Sequence, residues 1–149
     1  MTKQLPEEEN EEFQKITYTI GGMMVFPGNR IERFQTLNMA RGFTQAISDR
    51  FDLTVECIRR HYVNQESPLT STLSRYSAFF ALFDDFREYV KFFLLDDIVT
   101  NGTEVKFFMQ FDDFRPPYIP QHLSEYQEYR QRSIDFVEAR NQRIEMLSL

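Results

Sequence analysis

Phe86-Arg87-Glu88-Tyr89-Val90-Lys91-Phe92-Phe93-Leu94-Leu95 is the stretch on which the fold turns. Asp84 or Asp85 can open a helix here, because a short carboxylate accepts the first free backbone amides. Phe86, Tyr89, Val90, Phe93 and Leu94 then share one face at three- and four-residue spacing. Phe92 and Leu95 widen that stripe, which predicts a central helix covered on nearly every side.

Working toward the N-terminus, Ser67-Pro68 is a helix start, with Leu69, Leu73, Tyr76 and Phe80 at helical spacing after it. Asp52 can cap a further helix carrying Val55, Ile58 and Tyr62, and Thr36 one carrying Leu37, Ala40, Phe43 and Ile47. Before these lies Ile16-Thr17-Tyr18-Thr19-Ile20, an alternating β-branched and aromatic run. Gly21-Gly22 supplies a two-residue turn, Met23-Met24-Val25-Phe26 the returning strand, and Phe26-Pro27-Gly28-Asn29 a type II turn. Residues 1–12 read as a flexible acidic arm.

Working toward the C-terminus, Asn101-Gly102 is a turn, and Thr103 to Phe111 can form a strand in which Phe107-Phe108 spoils clean alternation. Pro116, Pro117 and Pro120 impose an extended connector. A long helix is expected from about Gln121 to Met146, with Leu123, Tyr126, Val137 and Ile144 inward and Arg130, Arg132, Glu138 and Arg143 facing water. The expected fold is mainly α: about five helices, a small N-terminal β-hairpin at about 16–26 and room for one later strand, α+β by a stricter definition. Residues 13–149 are expected to make a single domain, with a helical body over about 36–99 and a strand or loop over about 103–120.

The chain has 149 residues, 42% of them hydrophobic and 16 of them Phe, enough for a core. A net charge of −6 disfavours nucleic acid, since phosphate contacts need surplus Lys and Arg. The start carries no basic segment followed by an apolar run, and no 18-residue apolar stretch suggests a membrane span. The single cysteine, Cys57, excludes an internal disulfide framework and suggests a reducing, cytoplasmic setting. Only five glycines occur, and no phosphate-cradling loop, nucleophile elbow or zinc motif can be written. No cofactor, metal or catalytic residue is therefore expected.

Four constellations remain. Residues 16–75 hold seven arginines, no lysine and five acids, the only positive segment. Arg41, Arg50, Arg59 and Arg60 are candidate anion contacts, because a guanidinium grips phosphate or carboxylate with two prongs. The competing reading is internal pairing: Glu56 stands three residues before Arg59 and four before Arg60, and Asp49 and Asp52 flank Arg50. The doublets Asp84-Asp85, Asp96-Asp97 and Asp112-Asp113 suit caps and turns better than a metal, since adjacent helical residues diverge by about 100°. Cys57 and His61 share a helical face, yet lone cysteines are usually buried and inert. Tyr118, Tyr126 and Tyr129 are candidate interface anchors on the last helix.

Certain blocks resemble a known family. Thr19-Ile20-Gly21-Gly22, Phe26-Pro27-Gly28-Asn29, Ala40-Arg41-Gly42-Phe43, the run from Asp49 to Arg60, Ser67-Pro68-Leu69, Tyr89 to Leu95 and Phe111-Asp112-Asp113-Phe114 are similar to an uncharacterised bacterial family, domain of unknown function 6994. The resemblance covers roughly residues 10 to 145. It implies a compact bacterial cytoplasmic domain and transfers no catalytic residue. It also implies that longer members carry an extra N-terminal region.

The function expected from all this is a non-catalytic domain that binds another protein, or itself, through the terminal helix. The alternative is a binder or enzyme of a phosphorylated small molecule that uses the four arginines as an anion pocket. A nucleic-acid role would need a basic face despite the net charge.

Overall fold

Glutamates at 7, 8 and 9 and a lysine at 15 suit the dipole of a helix running between them, and Glu7–Thr17 is helix α1. The structure, a computed structural model, describes residues 7–115 and 120–147. After α1 come a 3₁₀ turn at Ile20–Gly22, then α2 (Leu37–Phe43), α3 (Phe51–Tyr62), α4 (Thr70–Arg75), α5 (Ser77–Phe80) and α6 (Phe86–Phe92). Two short strands, β1 (Val99–Thr100) and β2 (Glu104–Val105), and the long helix α7 (Leu123–Leu147) complete the order.

The architecture is mainly α, but the expected details need correcting. There is no N-terminal hairpin over 16–26: Ile16 and Thr17 end α1, and Gly21-Gly22 lies in the 3₁₀ turn. The physical reason is tertiary. Gly21 N–H donates to Asn141 Oδ1 on α7 at 2.6 Å, and a Cβ at Gly21 would collide with the Val137 carbonyl oxygen. The glycine is there to let a helix come close, and it forms no strand turn. The sheet instead lies at 99–105, antiparallel, pairing Val99 with Val105 and Thr100 with Glu104. Asn101 (φ 56°) and Gly102 (φ 70°) take the left-handed conformation that the turn between its strands needs. The strand expected over 103–111 is reduced to Glu104–Val105. Seven α-helices stand among the described residues where about five were expected. Residues 7–12, read as part of an arm, belong to α1, and the stretch from Leu69 to Phe80 divides at Tyr76, whose hydroxyl donates to Asn29 O at 2.8 Å.

The described residues form two compact units. Unit 1 comprises residues 7–23, 108–110 and 120–147. In it, α7 turns Ser133, Ile134, Phe136, Val137 and Arg140 inward, a three- and four-residue spacing. Phe108 packs near Phe136, with ring centroids 5.9 Å apart. Arg140 is buried and donates from Nη1 to the carbonyls of Gly21 (3.1 Å) and Met23 (2.6 Å).

Unit 2 comprises residues 24–107 and 111–115. Its core is built on α3, where every residue from Asp52 to Ile58 is buried. Leu73, Phe80, Phe86, Tyr89, Val90, Leu95 and Ile98 are buried in the same unit. Tyr89 lies 4.8 Å from Phe93 and 5.5 Å from Phe83 by ring centroid, within the range where offset and edge contacts are favourable. No helix among the described residues is long and apolar enough to cross a membrane.

Candidate functional site

The four candidate arginines are each held by a carboxylate. Arg41 is buried, donates to Thr54 Oγ1 at 2.9 Å and lies 3.6 Å from Asp49. Burial lowers its pKa, while Asp49 works in the opposite direction. Arg50 forks onto Asp52, with Nε 3.1 Å from Oδ1. Asp52 therefore does not cap α3 as expected: the cap position is Arg50, and Asp52 is buried within the first turn, against that guanidinium. Arg59 donates to Glu56 from both Nε and Nη2, and Arg60 shares Glu56 while reaching Asp113 at 2.6 Å. Arg60 also lies over the Phe114 ring, 4.9 Å from its centroid. Each of the four guanidiniums thus has a carboxylate partner inside unit 2.

Cys57 is fully buried, and burial pushes its thiol up to about 12, which hydrogen bonds from Ser67 and the Leu69 backbone offset only in part. A thiol held protonated is a poor nucleophile. His61 lies beside Phe80, 5.2 Å between ring centroids, and burial lowers its pKa. No group of three or more Cys, His, Asp or Glu among the described residues could hold a metal ion. Of the doublets, Asp85 caps α6 by accepting from Glu88 N–H at 2.8 Å, and Asp113 pairs with Arg60. Of the tyrosines, Tyr118 lies outside the described residues. Tyr126 and Tyr129 are half-buried in unit 1, and Tyr129 lies 6.2 Å from Phe108 by ring centroid.

A different surface is open. Leu82, Phe83, Glu88, Lys91 and Phe92 line a shallow apolar groove of about 560 Å³ in unit 2. Leu82 is 74% exposed and Phe92 is 68% exposed, and the groove also includes a half-buried Phe83 whose ring lies 5.1 Å from that of Phe92. Two causes put Phe92 outside, where the sequence reading put it inside. At 100° per residue, Glu88, Lys91 and Phe92 fall opposite the stripe of Phe86, Tyr89 and Val90. Leu94 then turns left-handed (φ 56°), and Leu95 N–H donates back to Val90 O at 2.9 Å, so the helix stops at Phe92 and never wraps that ring. The angular signal was present in the sequence, but the unbroken run Phe92-Phe93-Leu94-Leu95 masked it. Glu88 takes the Asp84 N–H at 2.9 Å, whereas Lys91 has no carboxylate partner among the described residues.

A family of unknown function, DUF6994, matches residues 1–144 of this chain, and the chain belongs to that family. No curated protein and no solved structure matches it.

Proposed function

We propose that the chain is a non-catalytic protein-interaction domain of a bacterial cytoplasm and that the α6 groove is its contact surface. The observation that carries this reading is the pair Leu82 and Phe92, two large apolar side chains left in water beside an aromatic floor. Contiguous exposed apolar surface rimmed by charge favours a macromolecular contact over idle surface. The buried, protonated Cys57 and the carboxylate-paired arginines support a binding role over a chemical one. The lone cysteine supports the reducing compartment. The groove takes precedence over the terminal helix because Tyr126 and Tyr129 are half-buried within unit 1.

The test is cross-linking in cells with a photoreactive residue at position 82 and, as control, at exposed Ser74. The expected result is a protein adduct from position 82 alone that disappears on Phe92→Asp. No adduct, or one indifferent to Phe92→Asp, overturns the reading.

A further inference from the structure

The open face of α6 is complementary to itself. Glu88 and Lys91 stand three residues apart on the outward side, a rise of about 4.5 Å along the axis. Lys91 has no internal ion pair among the described residues, and Glu88 offers carboxylate charge beyond its one backbone bond to Asp84. Phe92 flanks this charged pair at the end of α6, and Leu82 precedes the helix.

We propose that the occupant of the groove is a second copy of this chain, with two α6 helices antiparallel about a two-fold axis midway between Glu88 and Lys91. This rests on reading the groove as the contact surface and names its partner. A two-fold operation at that height brings Glu88 of each copy level with Lys91 of the other, making two opposite-charge pairs from one patch. This is the self-matching that an isologous interface requires. The same operation sets Phe92 of each copy toward the Leu82 end of the other, so that exposed apolar surface is covered on both sides. A chain of net charge −6 repels its own copies at long range, so a self-contact needs local opposite charges of this kind to fix its register. The patch is small, which makes the dimer weak and concentration-dependent.

Sedimentation velocity on the full chain, from about 1 to about 500 μM, tests the pairing. The expected result is a reversible monomer–dimer equilibrium for the wild type. Glu88→Lys and Lys91→Glu should each weaken it by about tenfold or more, through like charges placed face to face. Mixed in equal amounts, the two variants should dimerise with each other, because one then presents two lysines and the other two glutamates. Circular dichroism checks that both remain folded, and Lys91→Glu removes no side-chain bond among the described residues. A wild type that stays monomeric over the whole range overturns the second-copy inference, as do single variants that dimerise like wild type or a mixture that does not associate. A monomeric wild type whose position-82 adduct with another protein is lost on Phe92→Asp overturns this inference alone. A wild-type dimer that survives Phe92→Asp overturns the groove reading with it.

Discussion

Arg60 and Asp113, 53 residues apart in the chain, meet at 2.6 Å, and the same guanidinium also holds Glu56. The two carboxylates differ in their surroundings: Glu56 is 4% exposed, whereas the Asp113 side chain is 71% exposed. That difference decides their worth.

Removing the buried acid leaves Arg59 and Arg60 without their shared partner, and breaking a buried pair costs about 3–5 kcal/mol. Removing the exposed acid costs about 0–1 kcal/mol, because water screens it. Urea unfolding of Glu56→Ala and Asp113→Ala should show this order. Equal midpoints would refute the view that α3 depends on Glu56.

In unit 1, Arg140→Met strips the Gly21 and Met23 carbonyls of a charged donor in a buried place, and about 2–3 kcal/mol should go. Gly21→Ala forces a methyl against Val137 O and Asn141, at a cost of about 1–3 kcal/mol. Asn141→Ala should soften the Gly21→Ala penalty, since one of the colliding side chains is gone. A double-mutant cycle measures it, and strict additivity would contradict the close approach.

The acidic doublet before α6 is unequal. Asp85 accepts from Glu88 N–H, and Asp85→Ala should cost about 1 kcal/mol. The Asp84 backbone N–H, and not its side chain, engages Glu88, so Asp84→Ala should stay within about 0.5 kcal/mol. Thermal melts of the two variants give the comparison.

The Cys57 thiol releases its proton near pH 12 when folded, against a usual value of 9.0. Between these values the folded chain holds more protons than the unfolded one, so stability is intact below about pH 9 and falls as pH rises toward 12. Tyr62, also raised by burial, adds loss of the same sign at the upper end. Burial lowers His61, so its contribution is present above its usual 6.5 and lost as pH falls through the folded value. The urea midpoint of wild type should drop between about pH 8.5 and about pH 10.5. Cys57→Ala, less stable overall, should lose less across that interval, and parallel slopes would count against a buried protonated thiol.

Helices whose signals are local were legible in the sequence. Thr36 does accept from Met39 N–H at 3.2 Å, Asp85 does cap α6, and the long last helix was placed at 121–146 against an observed Leu123–Leu147. The N-terminal hairpin failed because Ile16-Thr17-Tyr18-Thr19-Ile20 alternates over too few residues to outweigh the dipole-matched helix before it. What fixes Gly21 lies on α7, and no local pattern reports it. Among candidate site residues, the pairing of Glu56 with Arg59 and Arg60 could be read from spacing alone, whereas Asp113 as a partner of Arg60 could not. For Asp52 the cap reading fails, whereas its pairing with Arg50, two residues away, is legible from sequence adjacency. Leu82 is not legible because it lies in the apolar run Phe79-Phe80-Ala81-Leu82-Phe83, which does not by itself tell which member faces water.

The bond from Gly21 to Asn141 joins positions 120 residues apart, while most of unit 2 comes from the continuous stretch 24–107. On the ribosome, where chains grow at about 5–20 residues per second, the α1 segment must therefore wait many seconds before its partner helix emerges. The intervening unit can mature first, so the two ends of the chain close unit 1 last.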